Sequence, residues 1–170
     1  MTEERAWVRD NEKLEHVTIG FGNWRNFSGE KTDRNKTGKR VFNIFLPRDL
    51  AEELKAIGWY VKSHEPYRED GDTSYTLEIE VSYDTKGGQF PKPIVKMISY
   101  DGVETLLNED TIGMLDSADI EDATVEFRPH NWTVNDKWGC KAYLHELKVY
   151  LKEPRRARDA RLNRREEDDF

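Results

Sequence analysis

The sequence has a single cysteine and no long apolar run, and each shortage excludes a class of protein. One thiol, Cys140, cannot form an internal disulfide, and no cysteine and histidine spacing resembles a zinc site. No stretch approaches the roughly 20 apolar residues that a membrane-spanning helix needs. The first residues lack the basic and then apolar run of a secretion signal. We therefore expect a protein of the reducing cytoplasm.

Apolar residues are also scarce, at 36% of the 170 residues, where roughly 45–50% is usual. Aromatic side chains compensate, because 7 Phe, 5 Trp and 7 Tyr supply a large buried area per residue. The length suits one domain with short extensions. We expect an N-terminal arm over residues 1–15, a folded domain over 16–153 and a C-terminal tail over 154–170.

Charge is unevenly distributed along the chain, whose formal net charge is −7. Residues 23–48 carry seven basic and two acidic side chains, a local net charge of +5. Residues 101–122 carry eight acidic side chains and no basic one. This separation predicts one basic and one acidic surface, so the overall negative charge does not exclude binding to a polyanion.

Alternating apolar residues predict a mostly β protein with short helices. Val17, Ile19 and Phe21 alternate with polar residues in a first strand, residues 40–46 form a second, and residues 75–83 form a third. A helix is expected from about residue 48, where leucines recur at helical spacing before Gly58. A second short helix is predicted over residues 107–115.

The last third of the domain predicts a long hairpin over residues 120–134 and 139–152, with a turn at 135–137. The apolar parity changes between Leu144 and Leu147, so a β-bulge is expected near His145. Strongly bent strands and short intervening helices suit a five- or six-stranded Greek-key barrel of the oligonucleotide-binding (OB) type.

No motif predicts catalysis, a metal or another cofactor. The sequence has no nucleophile elbow, no glycine-rich phosphate loop and no pair of carboxylates with a histidine. Asp70 and Asp72 lack the rest of a calcium loop, and the acidic segment 101–122 is better explained as solvated charge. We therefore expect a protein that is not an enzyme.

Aromatic residues stand beside cations in four places along the chain. Unpaired bases stack on aromatic rings while lysine and arginine neutralise the phosphates, so a site for single strands needs both residue types interleaved. The candidate residues are Trp24, Arg25, Phe27, Lys39, Arg40, Phe42, Trp59, Tyr60, Lys62, Trp138, Lys141 and Tyr143.

Core packing is the alternative role for these rings. In a chain with so few aliphatic residues, any single tryptophan is as consistent with the core as with a binding surface. Both faces of the second strand are apolar, so the direction of Phe42 stays open. Lys141 and Tyr143 alternate along the strand with the apolar residues Cys140 and Ala142. This alternation predicts that Lys141 and Tyr143 point outward together. Trp132 is instead expected to pack under the hairpin.

Six segments together resemble the OB-fold single-stranded-DNA-binding proteins of tailed bacteriophages, over roughly residues 16–153. The matching segments are residues 24–29, 38–42, 54–62, 106–116, 128–132 and 139–144. The resemblance implies a protein of phage DNA replication or recombination that coats and protects single-stranded DNA in the cytoplasm of the infected bacterium. A homo-oligomer is compatible with the sequence.

The tail changes from six arginines within residues 155–165 to an acidic end, Glu166, Glu167, Asp168, Asp169 and Phe170. It is either a solvated extension or an interaction segment for a partner with a basic rim and an apolar pocket. The acidic end resembles the phenylalanine-terminated tip of bacterial and phage single-strand binders, which implies that it recruits replication or recombination proteins.

Two other functions stay open from the sequence. The first is an acidic, DNA-mimicking interaction protein that binds a host enzyme through residues 101–122 and the tail. The local charge of +5 over residues 23–48 argues against it. The second is a metal-dependent nuclease, for which the acidic segment lacks nearby basic or aromatic groups.

Overall fold

The computed structural model describes residues 8–33, 35–66, 69–154 and Leu162. The described chain is mostly β. Its strands are β1 (Glu12–Ile19), β2 (Arg25–Asn26), β3 (Arg40–Leu46), β4 (Val61–His64), β5 (Ser74–Val81), β6 (Ile94–Ile98), β7 (Glu104–Leu107), β8 (Ile120–Val134) and β9 (Lys137–Leu151). The α-helix is α1 (Arg48–Ile57), and 3-10 helices span Gly22–Trp24 and Ile112–Asp116.

Five of these strands close into a barrel. Antiparallel pairing places β3 between β1 and β5, and β8 lies on the other side of β1. The last strand, β9, pairs with β8 and also runs parallel to β5, with Ile79 opposite Ala142 and Glu80 opposite Tyr143. Three consecutive antiparallel strands with a fourth returning beside the first form a Greek key. The predicted OB-type barrel is therefore confirmed.

The β8–β9 hairpin is the longest unit of the fold. Asn135 and Asp136 have φ angles of 47° and 68°, as a two-residue type I′ turn requires. Further along, Glu126 pairs with Glu146 but Phe127 pairs with Leu144, so the intervening His145 is the extra residue of a bulge. Because of the bulge, the apolar residues on both sides of His145 face the barrel interior, as the sequence predicted.

The barrel interior is filled by aliphatic and aromatic side chains. Phe27 stacks on Phe42 at 4.9 Å between ring centroids, and Trp59 meets Phe127 edge-on at 4.7 Å. Helix α1 packs against β4 and β5 and buries Leu54. It ends at Gly58, whose φ of 128° is strained for residues with a side chain.

Three local predictions were wrong. Strand β1 begins at Glu12, inside the predicted arm, and Val8 is already buried and bonded through its backbone to the Asn131 side chain. Phe21 is 78% exposed, because β1 ends at Ile19 before the alternation reaches it. The second helix predicted over residues 107–115 is shorter than expected, because Leu107 ends strand β7 and only the 3-10 helix Ile112–Asp116 forms.

Within the described ranges, no helix has both the length and the apolar character needed to cross a membrane.

Candidate nucleic-acid interface

The hairpin register determines which side chains of β8 and β9 point out of the barrel. Ala142 and Cys140 are buried, so the neighbouring cross-strand pairs face outward. Those pairs are Arg128 with Tyr143, His130 with Lys141, and Trp132 with Gly139. The outer surface of the hairpin therefore alternates cationic or polar groups with aromatic rings.

A cleft of about 300 Å³ opens between this hairpin and strands β3 and β5. It is lined by two rings, by small or aliphatic side chains and by charged groups. They are Tyr60, Trp132, Val41, Leu77, Cys140, Ala142, Lys39, Lys141, Glu78 and Glu80. A flat apolar group with polar edges matches this lining, and the lysines can reach an anionic backbone beside it.

Two backbone features position the rings of the cleft. Tyr60 is 58% exposed, and its backbone N–H donates to the Cys140 carbonyl at 3.2 Å, which ties the start of β4 to β9. The Trp132 ring lies across Gly139, where an added Cβ would come within 2.7 Å of the indole. Glycine at this position therefore allows the ring to lie flat against β9.

Beside the cleft, Arg128 lies between two rings. Its guanidinium carbon is 4.5 Å from the centroid of Phe90 and 4.8 Å from that of Tyr143. His130 meets the same Tyr143 ring edge-on at 5.2 Å. Burial, followed by the Glu80 carboxylate, raises the pKa of Tyr143, so the phenol stays neutral across the physiological range.

Lys39 in the cleft and Lys62 beside it are only loosely paired with the carboxylates of the cleft. Lys39 Nζ lies 3.8 Å from Glu80 Oε1, and Lys62 Nζ lies 3.7 Å from Glu78 Oε2. The Lys62 ammonium also stands 5.8 Å from the Tyr60 ring centroid. Both lysines are about half-exposed and both contacts are longer than a strong charge-assisted hydrogen bond, so the lysines can exchange a carboxylate for a phosphate.

The structure thus brings together five predicted candidates: Lys39, Tyr60, Lys62, Lys141 and Tyr143. Two further candidates lie elsewhere on the surface. Trp24 is half-buried against Phe45 and His64, and Trp138 is exposed near the tip of the hairpin.

Four predicted candidates lie in the core, and we exclude them from the proposed interface. Phe27, Phe42 and Trp59 are buried and packed ring against ring. Arg25 is 8% exposed and donates to the carbonyls of Gly20, Leu115 and Ala118 at 2.8–3.0 Å. The order of residues along the sequence did not reveal that these four side chains point inward.

Arg40 is also largely engaged within the protein. Its Nη1 donates to the carbonyls of Phe27 and Glu109 at 3.0 and 3.1 Å, and its guanidinium lies 5.5 Å from the Tyr83 ring centroid. It therefore ties Phe27 and Glu109 of the acidic segment to the start of β3, which leaves Lys39 as the more available cation of the pair.

Four residues of this surface were missing from the predicted set: Phe90, Arg128, His130 and Trp132, the last of which was expected under the hairpin but lines the cleft. Arg128 and His130 follow from counting cross-strand pairs back from the turn at Asn135 and Asp136, a signal that the sequence contained. Phe90 lies in the loop between β5 and β6, where no periodicity indicates direction. The predicted partner-binding residues, 166–170, lie outside the described residues.

A closed Greek-key barrel whose outer face interleaves rings and cations defines a binder of single-stranded nucleic acid. The family model of the phage ssDNA-binding domain matches residues 2–167, and the chain belongs to this family. No curated protein matches it in sequence.

Solved structures are similar to this fold at low sequence identity. The single-stranded DNA-binding protein from bacteriophage Enc34 in complex with ssDNA matches with a TM-score of 0.52 and 10% identity, covering 85% of this chain and 88% of the other. A C-terminal truncation of that protein matches with a TM-score of 0.51 and 11% identity, covering 85% and 86%.

Proposed function

We propose that this protein coats single-stranded DNA during phage replication or recombination, using the cleft and the outer face of β8 and β9. The observation that carries the proposal is the grouping of Tyr60, Trp132 and Tyr143 with Lys39 and Lys141 on one surface. Rings accept any base face and lysines accept any phosphate, so the surface needs no defined sequence.

The protein acts by binding, and we infer no catalytic step. The cleft offers stacking surfaces and cations, which hold a strand, and its two carboxylates lie beside lysines. We place this activity in the cytoplasm of the infected bacterium, because phage DNA is replicated there. The Enc34 protein, whose fold is similar, is itself seen with ssDNA.

We also propose that the barrel domain binds DNA while the acidic end at 166–170 recruits replication or recombination proteins. The support is chemical. The four carboxylates that precede Phe170 suit a basic rim around an apolar pocket that accepts the ring. Deleting residues 166–170 should leave the Kd for oligo(dT) equal or lower, while abolishing capture of a purified replication protein of the same phage or host.

A fluorescence titration tests the binding proposal. Trp132 lies in the cleft, so oligo(dT) should quench tryptophan emission. The affinity should fall with salt, with a log–log slope of roughly −0.7 per phosphate engaged. Duplex DNA of equal length should bind more weakly. Unchanged emission at low salt from a folded sample, confirmed by an absence of co-migration on a native gel, would overturn the proposal.

A further inference from the structure

The proposed DNA cleft contains two carboxylates, which an anionic ligand should disfavour. Glu78 and Glu80 stand two residues apart on β5 and both line the cleft. Their side chains are 42% and 18% exposed. Negative charge at this depth repels a phosphate group. The pair therefore reduces affinity for the backbone, and its presence needs another explanation.

The contacts with lysine leave part of the hydrogen-bonding capacity of these carboxylates unused. The distances of 3.8 Å for Lys39 and 3.7 Å for Lys62 exceed the 2.7–2.9 Å or so of a strong charge-assisted hydrogen bond. Glu80 also interacts with the Tyr143 hydroxyl. An ionised carboxylate has about four acceptor positions, so both side chains keep acceptor capacity toward the cleft.

The remaining lining indicates the ligand group that these acceptors face. Tyr60 and Trp132 offer ring surfaces, and Val41, Leu77 and Ala142 add apolar contact. A nucleobase matches such a lining better than a phosphate or a sugar does. Bases differ in the groups at their edges. Cytosine presents an N4 amino donor, whereas thymine and uracil present an O4 acceptor at the same position.

We propose that Glu78 and Glu80 make this cleft selective for bases with an exocyclic amino group, with cytosine preferred among the pyrimidines. The carboxylates accept a hydrogen bond from the amino group and repel the O4 of thymine or uracil. The phosphates then lie toward Lys39 and Lys141. This inference rests on the proposed function and adds a compositional preference to binding that needs no defined sequence.

Oligo(dC) and oligo(dU) of equal length are the sharpest probes, because the two bases differ only at position 4 and in the proton on N3. At pH 7.5, we expect the wild-type protein to bind oligo(dC) about tenfold more tightly, at the lower end of the discrimination that one base-edge contact provides. Equal affinities, or tighter binding of oligo(dU), would overturn the inference.

Variants that remove the charges test whether the two carboxylates cause the preference for cytosine. Glu78→Gln and Glu80→Gln should raise the affinity for oligo(dU), because repulsion of O4 and of the phosphates is lost, while oligo(dC) also loses its charged acceptor, so the dC to dU ratio falls toward one. The matched control is Glu52→Gln, which removes an exposed carboxylate paired with Arg48 on α1 and should keep the ratio. A ratio kept in both cleft variants would refute the role of the carboxylates.

Two features keep this test separate from the test of the proposed function. If neither oligomer binds at low salt, the proposed function fails, whereas binding without a preference overturns only the present inference. Glu78 is the more exposed of the pair, so Glu78→Gln should remain folded even if Glu80→Gln does not. Circular dichroism of each variant checks the fold.

Discussion

Arg128 and Tyr143 are directly opposite each other in the β8–β9 hairpin, and the guanidinium carbon stands 4.8 Å from the ring centroid. Phe90 covers the guanidinium at 4.5 Å and so links the β5–β6 loop to the barrel. Burial lowers the pKa of Arg128, which nonetheless stays charged at any physiological pH. The contact holds a cation and a ring together at the edge of the proposed interface.

Replacing Tyr143 with alanine should weaken binding to oligo(dT) by about 1–3 kcal/mol, the contribution of one stacked base. The salt slope should stay unchanged, because no phosphate contact is removed. Tyr143→Phe keeps the ring and should bind nearly as well as the wild type. Tyr100→Ala, at an exposed position outside the interface, is the matched control. A reduced slope in Tyr143→Ala would contradict stacking.

Replacing the lysines should change the salt dependence of binding, which Tyr143→Ala leaves unchanged. Lys39→Gln, Lys62→Gln and Lys141→Gln should each lower the magnitude of the log–log salt slope by up to about 0.7, the value for one phosphate of a single strand. Lys39 and Lys62 should fall below that limit, since each gives up a nearby carboxylate on binding. Titrations at several salt concentrations measure the slopes, and the exposed Lys13→Gln is the control. If all four variants keep the wild-type salt slope, the phosphates of the DNA do not contact these lysines.

Arg25 should prove structural. Its guanidinium donates to three carbonyls, so Arg25→Met leaves these acceptors without their charged donor and should lower the free energy of unfolding by about 3 kcal/mol. Urea denaturation measures the loss. Arg48→Met removes only an exposed pair with Glu52 and should cost less than about 1 kcal/mol. Full stability of Arg25→Met with a reduced salt slope would return Arg25 to the interface.

Cys140 should make the fold sensitive to alkaline pH. Burial raises the pKa of its thiol from 9.0 to about 11. The unfolded thiol therefore ionises first, and its contribution to stability is complete below pH 9 and is lost as the pH rises toward 11. The loss amounts to up to about 3 kcal/mol.

Urea denaturation at pH 8 and pH 10.5 measures this effect for the wild type and Cys140→Ala. The variant should lose less stability between the two pH values, because the tyrosines that also titrate there are common to both proteins. An equal loss of stability in the two proteins would show that the buried thiol does not contribute to the alkaline sensitivity.

The barrel was predictable where burial imposes a strict alternation. The apolar residues of β5 and β9 alternate, and the change of parity around His145 required a bulge, so both strands and the bulge follow from the sequence. The direction of a ring outside such a pattern did not follow. Phe42 lies in a strand with two apolar faces, and Trp59 lies between a helix and a strand.

The candidate site was predictable only in part for a related reason. Tyr143 and Lys141 were predicted to face outward because they oppose the buried parity of β9. Arg25 stands beside a tryptophan in sequence, but its direction depends on carbonyls about ninety residues away, at Leu115 and Ala118. Contacts of such long range leave no local spacing from which to predict them.

The parallel pairing of β5 with β9 determines when the cleft can form during synthesis of the protein. One side of the cleft comes from β3 and β5 and the other from β9, so a ribosome must synthesise β9 before either side has its counterpart. Because segments so far apart in sequence meet late, a nascent chain that still lacks β9 should have no affinity for exposed DNA. Only chains that include β9 would then compete for the template.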